Sequence, residues 1–468
     1  MDSITPRGYD PRAFNALTFH SATTSFRNGS DTPRAYLERC LETIAAREPI
    51  VKAFVVRNDA NARTAADASS ARWKAGTPLS AIDGMPIAIK DLLETKDMPT
   101  EMGCDAYRGN NTQRDNAAVW ALREAGAIIL GKTVTAELGG THPGPTTNPF
   151  DPTCTPGGSS SGSAAAVGAR MVPAALGTQV GGSVIRPAAY CGNVALKPTQ
   201  GGINRGERQT TSMSTTGVHA GCIEDMWQVA IEIARRAGGD PGKMGLFGPP
   251  TPPAAVKPQT LIMLESAGWA KVDNATRGAF EALLDALARA GITLLRRKDH
   301  AWIEALEQSI VKAAYIANSI TAWENRWYQA ALVERYPEGV SARAKATVKS
   351  AIAMTPEDYR ALLQQRAAAQ QCHQTLAPLA DGIIMLSCTG PAPLWSGDAP
   401  GQPLAKRPTG DSVFNTPSSM LHAPCVTVPL LGVDGMPVGV QLMGQQHEDA
   451  RMTAMARWLL QTIAPVVG

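Results

Sequence analysis

The sequence predicts an α/β protein built on a layered sheet, because short apolar strands alternate along the chain with amphipathic helices. Residues 127–130 form the clearest strand, an apolar run that ends at Gly131. A β-α-β unit is predicted at 261–295, where two short apolar runs flank a helix. The apolar residues of that helix recur at i, i+3, i+4 and i+7 and are Phe280, Leu283, Leu284 and Leu287.

Two long stretches of the chain are predicted to be helical. In residues 1 to about 75, Thr32-Pro33 marks a helix start in which threonine caps the helix and proline takes its first position. Residues 300–372 also follow a helical pattern, and their Trp323 and Trp327 stand four residues apart, which favours core packing. Strands return at 383–386 and in a hairpin that turns at Asp434-Gly435.

Composition limits the classes of function. The 468 residues are 44% hydrophobic and 18% charged, as in globular proteins, and the net charge of +3 argues against a nucleic-acid or membrane partner. The chain starts without an apolar run, so we expect no signal peptide and a cytoplasmic location. Its eight cysteines and seven histidines show no metal-ligand spacing, so we expect free thiols, no metal and no cofactor.

Three scattered residues carry the chemical signal: Lys90 at the end of an apolar strand, and Ser159 and Ser183, each directly after a Gly-Gly pair. Serine is a poor nucleophile until a base removes its proton, and lysine can be that base only when burial keeps it neutral. Taken one by one, a strand lysine usually reaches water, a serine before a helix is usually an N-cap, and Gly-Gly-Ser indicates only a turn. Together they indicate a serine hydrolase that needs no histidine.

The residues before Ser183 fit the stabilisation of negative charge. Val180, Gly181 and Gly182 offer successive backbone N–H groups, and the two glycines relax the limits on backbone geometry. An oxyanion hole needs such donors, aimed where charge develops in the transition state. We therefore expect these three residues to bind the substrate carbonyl.

In order and content, these motifs resemble the amidase signature enzymes, which cleave amides with a Ser-Ser-Lys triad. The resemblance runs over most of the chain and rests on a series of matching strings. They are Lys90-Asp91, Gly131-Lys132-Thr133, Asn148-Pro149-Phe150-Asp151, Thr155-Pro156-Gly157-Gly158-Ser159-Ser160, Leu176-Gly177-Thr178, Gly181-Gly182-Ser183, Cys191-Gly192, Lys197-Pro198-Thr199 and the hairpin at 434–444.

The resemblance implies both a fold and roles. It implies one large mixed β-sheet flanked by helices, with 1–75 packing on a core of 76–235 and 375–468, and 236–374 as a variable cap. It makes Lys90 the base, Ser183 the nucleophile, and Ser159 the proton bridge, held by a cis peptide bond. Gly139 matches a segment near the acyl site, where a missing side chain would leave room.

One departure from the family pattern lies beside the proposed nucleophile. The usual string has an acid where this chain has Gln179, and its arginine stands one place earlier than Arg186. We interpret the two changes as linked. An arginine displaced by one residue could no longer meet the acid, and a neutral amide avoids leaving a buried charge unpaired.

The sequence therefore predicts an amidohydrolase that acts through an acyl-enzyme on a small-molecule amide, with a homodimer as one possible state. Three alternatives remain open. The chain could be the amidase subunit of a glutamyl-tRNA amidotransferase, or a hydrolase of a carbamate, urea-like compound or ester. It could also be a non-catalytic relative that binds a ligand or partner, although the intact triad argues against that.

Overall fold

One mixed sheet organises the chain in this computed structural model, which describes residues 7–207, 211–395, 397 and 406–468. The strands of the described residues are β1 (Phe54–Arg57), β2 (Pro86–Lys90), β3 (Ile128–Thr133), β4 (Ala174–Gln179), β5 (Val194–Lys197), β6 (Thr215–Ala220), β7 (Thr260–Met263), β8 (Thr293–Leu295), β9 (Gly382–Leu386), β10 (Cys425–Val433), β11 (Met436–Met443) and β12 (Val466–Val467).

Helices flank this sheet on both faces. They are α1 (Thr23–Asn28), α2 (Pro33–Val51), α3 (Asp59–Lys74), α4 (Ala117–Glu124), α5 (Ser161–Gly168), α6 (Ile185–Tyr190), α7 (Ile223–Ala237), α8 (Asn274–Arg289), α9 (Ala301–Ile310), α10 (Ala313–Arg335), α11 (Ala342–Ile352), α12 (Pro356–Gln374), α13 (Thr416–Met420) and α14 (Asp449–Thr462). The predicted class, a large mixed sheet flanked by helices, is confirmed.

The strand order places the site-bearing strands inside the sheet. The order is β1-β3-β2-β4-β6-β5-β10-β11-β9-β7-β8, and β12 pairs with β10. Strand β2 runs parallel to both β3 and β4. All five of its residues are buried, which accounts for its continuous apolar run, since a parallel strand covered on both faces has no solvent side.

Several local predictions are confirmed. Thr32 Oγ1 accepts the N–H of Ala35 at 3.1 Å at the start of α2. The hairpin of β10 and β11 turns at Asp434 and Gly435, whose φ angles of 50° and 68° suit the tight turns favoured in hairpins. The predicted β-α-β unit corresponds to β7, α8 and β8.

The structure differs from the sequence prediction at two places, in the first 75 residues and at Trp327. The first 75 residues are not all helical, because β1 interrupts them and forms the edge of the sheet beside β3. The segment 236–374 adds β7 and β8 to the same sheet beside β9, so the division into core and cap stays a prediction. Trp327 is 78% exposed, so core packing is wrong for that residue, whereas Trp323 stacks on Tyr359 at 5.5 Å.

Candidate active site

Lys90 ends β2 inside the protein, with none of its surface exposed. Its Nζ lies 2.7 Å from Ser159 Oγ, 2.9 Å from Thr178 Oγ1 and 3.3 Å from the carbonyl oxygen of Thr178. Thr178 stands near the end of β4, the parallel neighbour of β2, so the sheet itself brings this threonine to the lysine. The structure thus joins two of the three predicted catalytic residues.

The surroundings of Lys90 favour the neutral amine. Burial lowers its pKa well below the usual value, and no carboxylate pairs with it among the described residues. A neutral amine has two hydrogens and one lone pair. The two hydrogens suit the two oxygens of Thr178, which leaves the lone pair facing the hydroxyl of Ser159.

A second buried lysine, Lys132, is paired with a carboxylate. Lys132 on β3 also has none of its surface exposed, but its Nζ lies 2.8 Å from Asp91 Oδ1 and 2.7 Å from Thr100 Oγ1. Lys132 therefore has the partner that Lys90 lacks. The contrast marks Lys90 as a candidate base and Lys132 as part of an ion pair within the core.

Ser159 lies on the turn that leads into α5. The Gly158–Ser159 peptide bond is cis, and the Ser159 side chain is buried beside Lys90. The carbonyl of Ser159 accepts the N–H of Ala136 at 3.0 Å, which ties this turn to the segment after β3. A Cβ at Gly139, the glycine predicted to border the acyl site, would stand 3.9 Å from Ser159 Oγ, so this glycine lies near the hydroxyl.

Ser183 lies on the turn between β4 and α6, and it is 9% exposed. Its carbonyl oxygen is 3.4 Å from the backbone nitrogen of Ser160, which donates to it, so the two serine-bearing turns are in contact. Val180 and Gly181 are partly exposed, whereas Gly182 is buried. The turn of residues 180–184, called the nucleophile turn after the predicted role of Ser183, therefore reaches the surface at residues predicted to contact substrate.

Gln179 and Arg186 do not meet. Gln179 is fully buried, and its Oε1 accepts the N–H groups of Val184 and Ile185 at 2.9 and 3.0 Å. Arg186 instead donates through Nε to the carbonyl of Thr409 at 2.7 Å and through Nη2 to the carbonyl of Gly158 at 2.6 Å.

The two carbonyl groups that accept hydrogen bonds from Arg186 are neutral, and burial lowers the pKa of this arginine. Because the two side chains make separate sets of hydrogen bonds, the arginine needs no acid at position 179.

Sequence reasoning missed several groups around the nucleophile turn. A Cβ at Gly181 would stand 3.5 Å from Thr416 Cγ2, 3.8 Å from Ser412 Oγ and 4.0 Å from Asn318 Oδ1. Asn318 is exposed and lies on α10, far along the chain from the turn. Contacts between residues so far apart in the sequence are set by tertiary packing, and no local sequence pattern signals them. Thr178, in contrast, ends the string Leu176-Gly177-Thr178 that matches the family.

No helix in the described ranges is long and apolar enough to cross a membrane. A family model described as amidase matches residues 35–452. A glutamyl-tRNA(Gln) amidotransferase subunit of Chloroflexus aggregans is 30% identical, over 93% of this chain and 94% of the relative. The corresponding subunit of Anaeromyxobacter dehalogenans is 28% identical, over 92% and 93%.

Solved structures share the fold. One described as an amidase superposes with a TM-score of 0.82 at 25% identity, over 96% of this chain and all of the other. A glutamyl-tRNA(Gln) amidotransferase subunit of Thermotoga maritima gives a TM-score of 0.74 at 23% identity, over 98% of each chain, which shows the fold alone.

Proposed function

Because the chain belongs to the amidase family of hydrolases that act on carbon–nitrogen bonds, we propose that it is an amidohydrolase that forms an acyl-enzyme on Ser183. The observation that carries this proposal is the pairing of a fully buried, uncompensated lysine with a serine at 2.7 Å, on a turn that contacts the turn of Ser183. This arrangement supplies a base, a proton bridge and a nucleophile from protein groups.

The first half of the reaction forms the acyl-enzyme. The lone pair of Lys90 takes the proton of Ser159 as Ser159 takes that of Ser183, and Ser183 Oγ bonds to the amide carbon. The carbonyl electrons move onto oxygen, where the N–H groups of Val180, Gly181 and Gly182 stabilise the charge.

As the carbon–nitrogen bond breaks, Ser159 donates a proton to the departing nitrogen, because an amine anion is too basic to leave. Lys90 returns its own proton to Ser159.

The second half is hydrolysis of the ester that remains. Water occupies the place of the departed amine, and as its oxygen attacks the acyl carbon it gives a proton to Ser159, whose own proton passes to Lys90. The carbon–oxygen bond to Ser183 breaks, Ser159 gives a proton to Ser183, and Lys90 returns its proton to Ser159. Gly139 lacks a side chain next to Ser159 Oγ and leaves room for the acyl group.

The proposal is tested with the purified chain alone, on a panel of simple amides together with glutamine, a carbamate, a biuret-type compound and an ester. We expect release of ammonia or amine, labelling by a fluorophosphonate, and mapping of the label to Ser183. Ser183→Ala should lose both turnover and label while its melting temperature is unchanged. Labelling of the variant at the rate of the natural protein would eliminate Ser183 as nucleophile.

The second candidate is the amidase subunit of a glutamyl-tRNA amidotransferase, since a subunit of that enzyme is 30% identical over most of the chain. The neutral Gln179 and the shifted Arg186 argue for a separate hydrolase. The two candidates differ in solution. A hydrolase turns over simple amides by itself, whereas a subunit would cleave glutamine efficiently only with its partner proteins.

Other properties follow from the first candidate. We propose a small-molecule amide as substrate, a cytoplasmic location, no nucleic-acid or membrane partner, and at most a homodimer. Activity should survive a chelator, because the described groups supply both proton transfer and oxyanion binding. Loss of activity with a chelator, followed by recovery with zinc, would contradict this account.

A further inference from the structure

The amide of Gln179 has a defined orientation at the end of β4. Its Oε1 accepts two backbone N–H groups, those of Val184 and Ile185. These two donors fix which end of the amide is oxygen, so Nε2 must point the other way. In that direction Nε2 donates to Ser419 Oγ on α13, at 3.2 Å.

Ser419 passes this hydrogen bond on to the nucleophile turn. Its hydroxyl has a single hydrogen, and because Oγ accepts from Gln179, that hydrogen can be donated elsewhere. It is donated to the carbonyl oxygen of Gly181 at 3.5 Å. The Gly181 carbonyl and the Gly182 N–H belong to one planar peptide group, so holding the oxygen also sets the direction of the N–H.

We propose that Gln179 is a positioning residue that aims the Gly182 N–H at the oxyanion by way of Ser419. This role rests on the proposed function, in which that N–H is an oxyanion donor. It also explains why position 179 is an amide. An ionised carboxylate could still accept from Val184 and Ile185, but it has no hydrogen to donate. Ser419 would then turn its hydrogen toward residue 179 and release Gly181.

The surroundings of Arg186 support this role. Its hydrogen bonds go to Gly158 and Thr409, and no carboxylate pairs with it among the described residues. Position 179 is therefore not needed as its charge partner. What remains for residue 179 is the geometry of the turn, to which it makes two direct hydrogen bonds and one through Ser419.

The test compares Ser419→Ala with Ser418→Ala, the neighbouring buried serine of α13, whose hydroxyl donates to Asn415 within the same short segment. We expect Ser419→Ala to lose about tenfold in kcat with KM nearly unchanged, less than the roughly 10²–10³-fold loss when an oxyanion donor is removed outright. Affinity for a boronic acid that forms a tetrahedral adduct should fall by a similar factor. Ser418→Ala should match the natural protein.

Gln179→Glu gives a second, pH-dependent readout. A protonated carboxyl can donate to Ser419 as the amide does, whereas the ionised form cannot. The ratio of variant to natural kcat should therefore be highest at low pH and fall as pH rises. The new carboxylate, next to Thr178, would raise the pKa of Lys90, which would make the ratio rise with pH, so this effect cannot imitate the expected fall. The double variant with Ser419→Ala should be no slower than the slower single variant, because both changes break one chain of hydrogen bonds.

The outcomes separate the inference from the function it rests on. A natural protein that neither hydrolyses amides nor takes the fluorophosphonate on Ser183 overturns both. If Ser183 is labelled, the positioning role is overturned by equal kcat values for Ser419→Ala and Ser418→Ala. It is also overturned by a flat ratio for Gln179→Glu, or by losses that multiply in the double variant. Should Gln179→Glu fail to fold, the serine pair alone decides.

Discussion

Two neighbouring glycines of the nucleophile turn face very different surroundings. A Cβ at Gly182 would stand 2.6 Å from Asn415 Oδ1 and 2.7 Å from Arg186 Nη1, closer than such contacts occur. A Cβ at Gly181 would meet nothing nearer than 3.5 Å. Neither glycine has a positive φ, so the difference is one of space and not of backbone conformation.

Gly182→Ala should therefore displace the turn and cost at least about 10²-fold in kcat, the scale of losing an oxyanion donor. Gly181→Ala is the matched control and should cost much less. Steady-state kinetics of the two variants on one amide substrate check this. Equal losses would show that the packing behind Gly182 does not hold the turn.

Lys90 also links activity to stability. Burial lowers its pKa in the folded state, and the proposed mechanism requires it to be neutral there, whereas the unfolded chain holds it charged with the ordinary lysine pKa of about 10.4. The unfolded state binds more protons, so this site opposes folding at neutral pH, and the opposition fades as pH rises toward the unfolded value. The stability of the natural protein relative to Lys90→Met should therefore increase from about pH 7 to about pH 10.

Denaturation midpoints of both proteins across this range measure the trend. Lys74→Met, at an exposed lysine of α3, is the control and should show none. A difference between Lys90→Met and the natural protein that stays constant with pH would mean that Lys90 is charged in the folded state.

At the scale of elements, Glu324 joins α10 and α12 to the segment that leads into β6. It accepts from Thr211 Oγ1 at 2.6 Å, from the backbone and hydroxyl of Ser212 at 2.7 Å each, and from Tyr359 Oη at 2.7 Å. That segment continues to Thr215, which pairs with Gln179 across the sheet. Through this segment, α10 and α12 are linked to the end of β4, which carries Gln179.

Glu324→Ala should lower the free energy of unfolding by on the order of 2–4 kcal/mol, because it leaves several partly buried donors without an acceptor. It should also raise KM, since α10 carries Asn318 beside Gly181. Thermal unfolding and kinetics of Glu324→Ala, beside Glu334→Ala on an exposed position of the same helix, test this. Equal unfolding temperatures and equal KM values for the two variants would contradict the role given to Glu324.

The elements also show how far sequence reasoning reached. The α2 start, the β10–β11 hairpin and the β-α-β unit were predictable because capping, turn and periodicity signals are local. Strand β1 was not, since its four residues depend on pairing with β3 for their conformation. Lys90 and Ser159 could be named in advance because they stand in local motifs. Asn318, Ser412 and Ser419 could not, because contacts between distant segments bring them to the nucleophile turn.

For the whole molecule, the shared sheet argues against independently folding parts. Strands β7 and β8, which belong to the segment predicted as a cap, extend the sheet beyond β9. Strand β10 pairs with β5 on one side and with β11 on the other, so it connects the first six strands to β11, β9, β7 and β8. The chain should therefore unfold in one transition, seen at the same temperature by tryptophan fluorescence and by circular dichroism. Two separated transitions would indicate that 236–374 folds as a unit of its own.

The central claim, that neutral Lys90 drives proton transfer through Ser159 to Ser183, is tested most directly by pH profiles on an amide and its matching activated ester. In the natural protein, kcat/KM should rise with pH through an ionisation well below the free lysine pKa of about 10.4 and stay high in the alkaline range. Lys90→Ala should remove that rise and impair the amide far more than the ester, because only the amide nitrogen needs a proton from Ser159 to leave. Equal losses on both substrates would show that Lys90 is structural and that the base lies elsewhere.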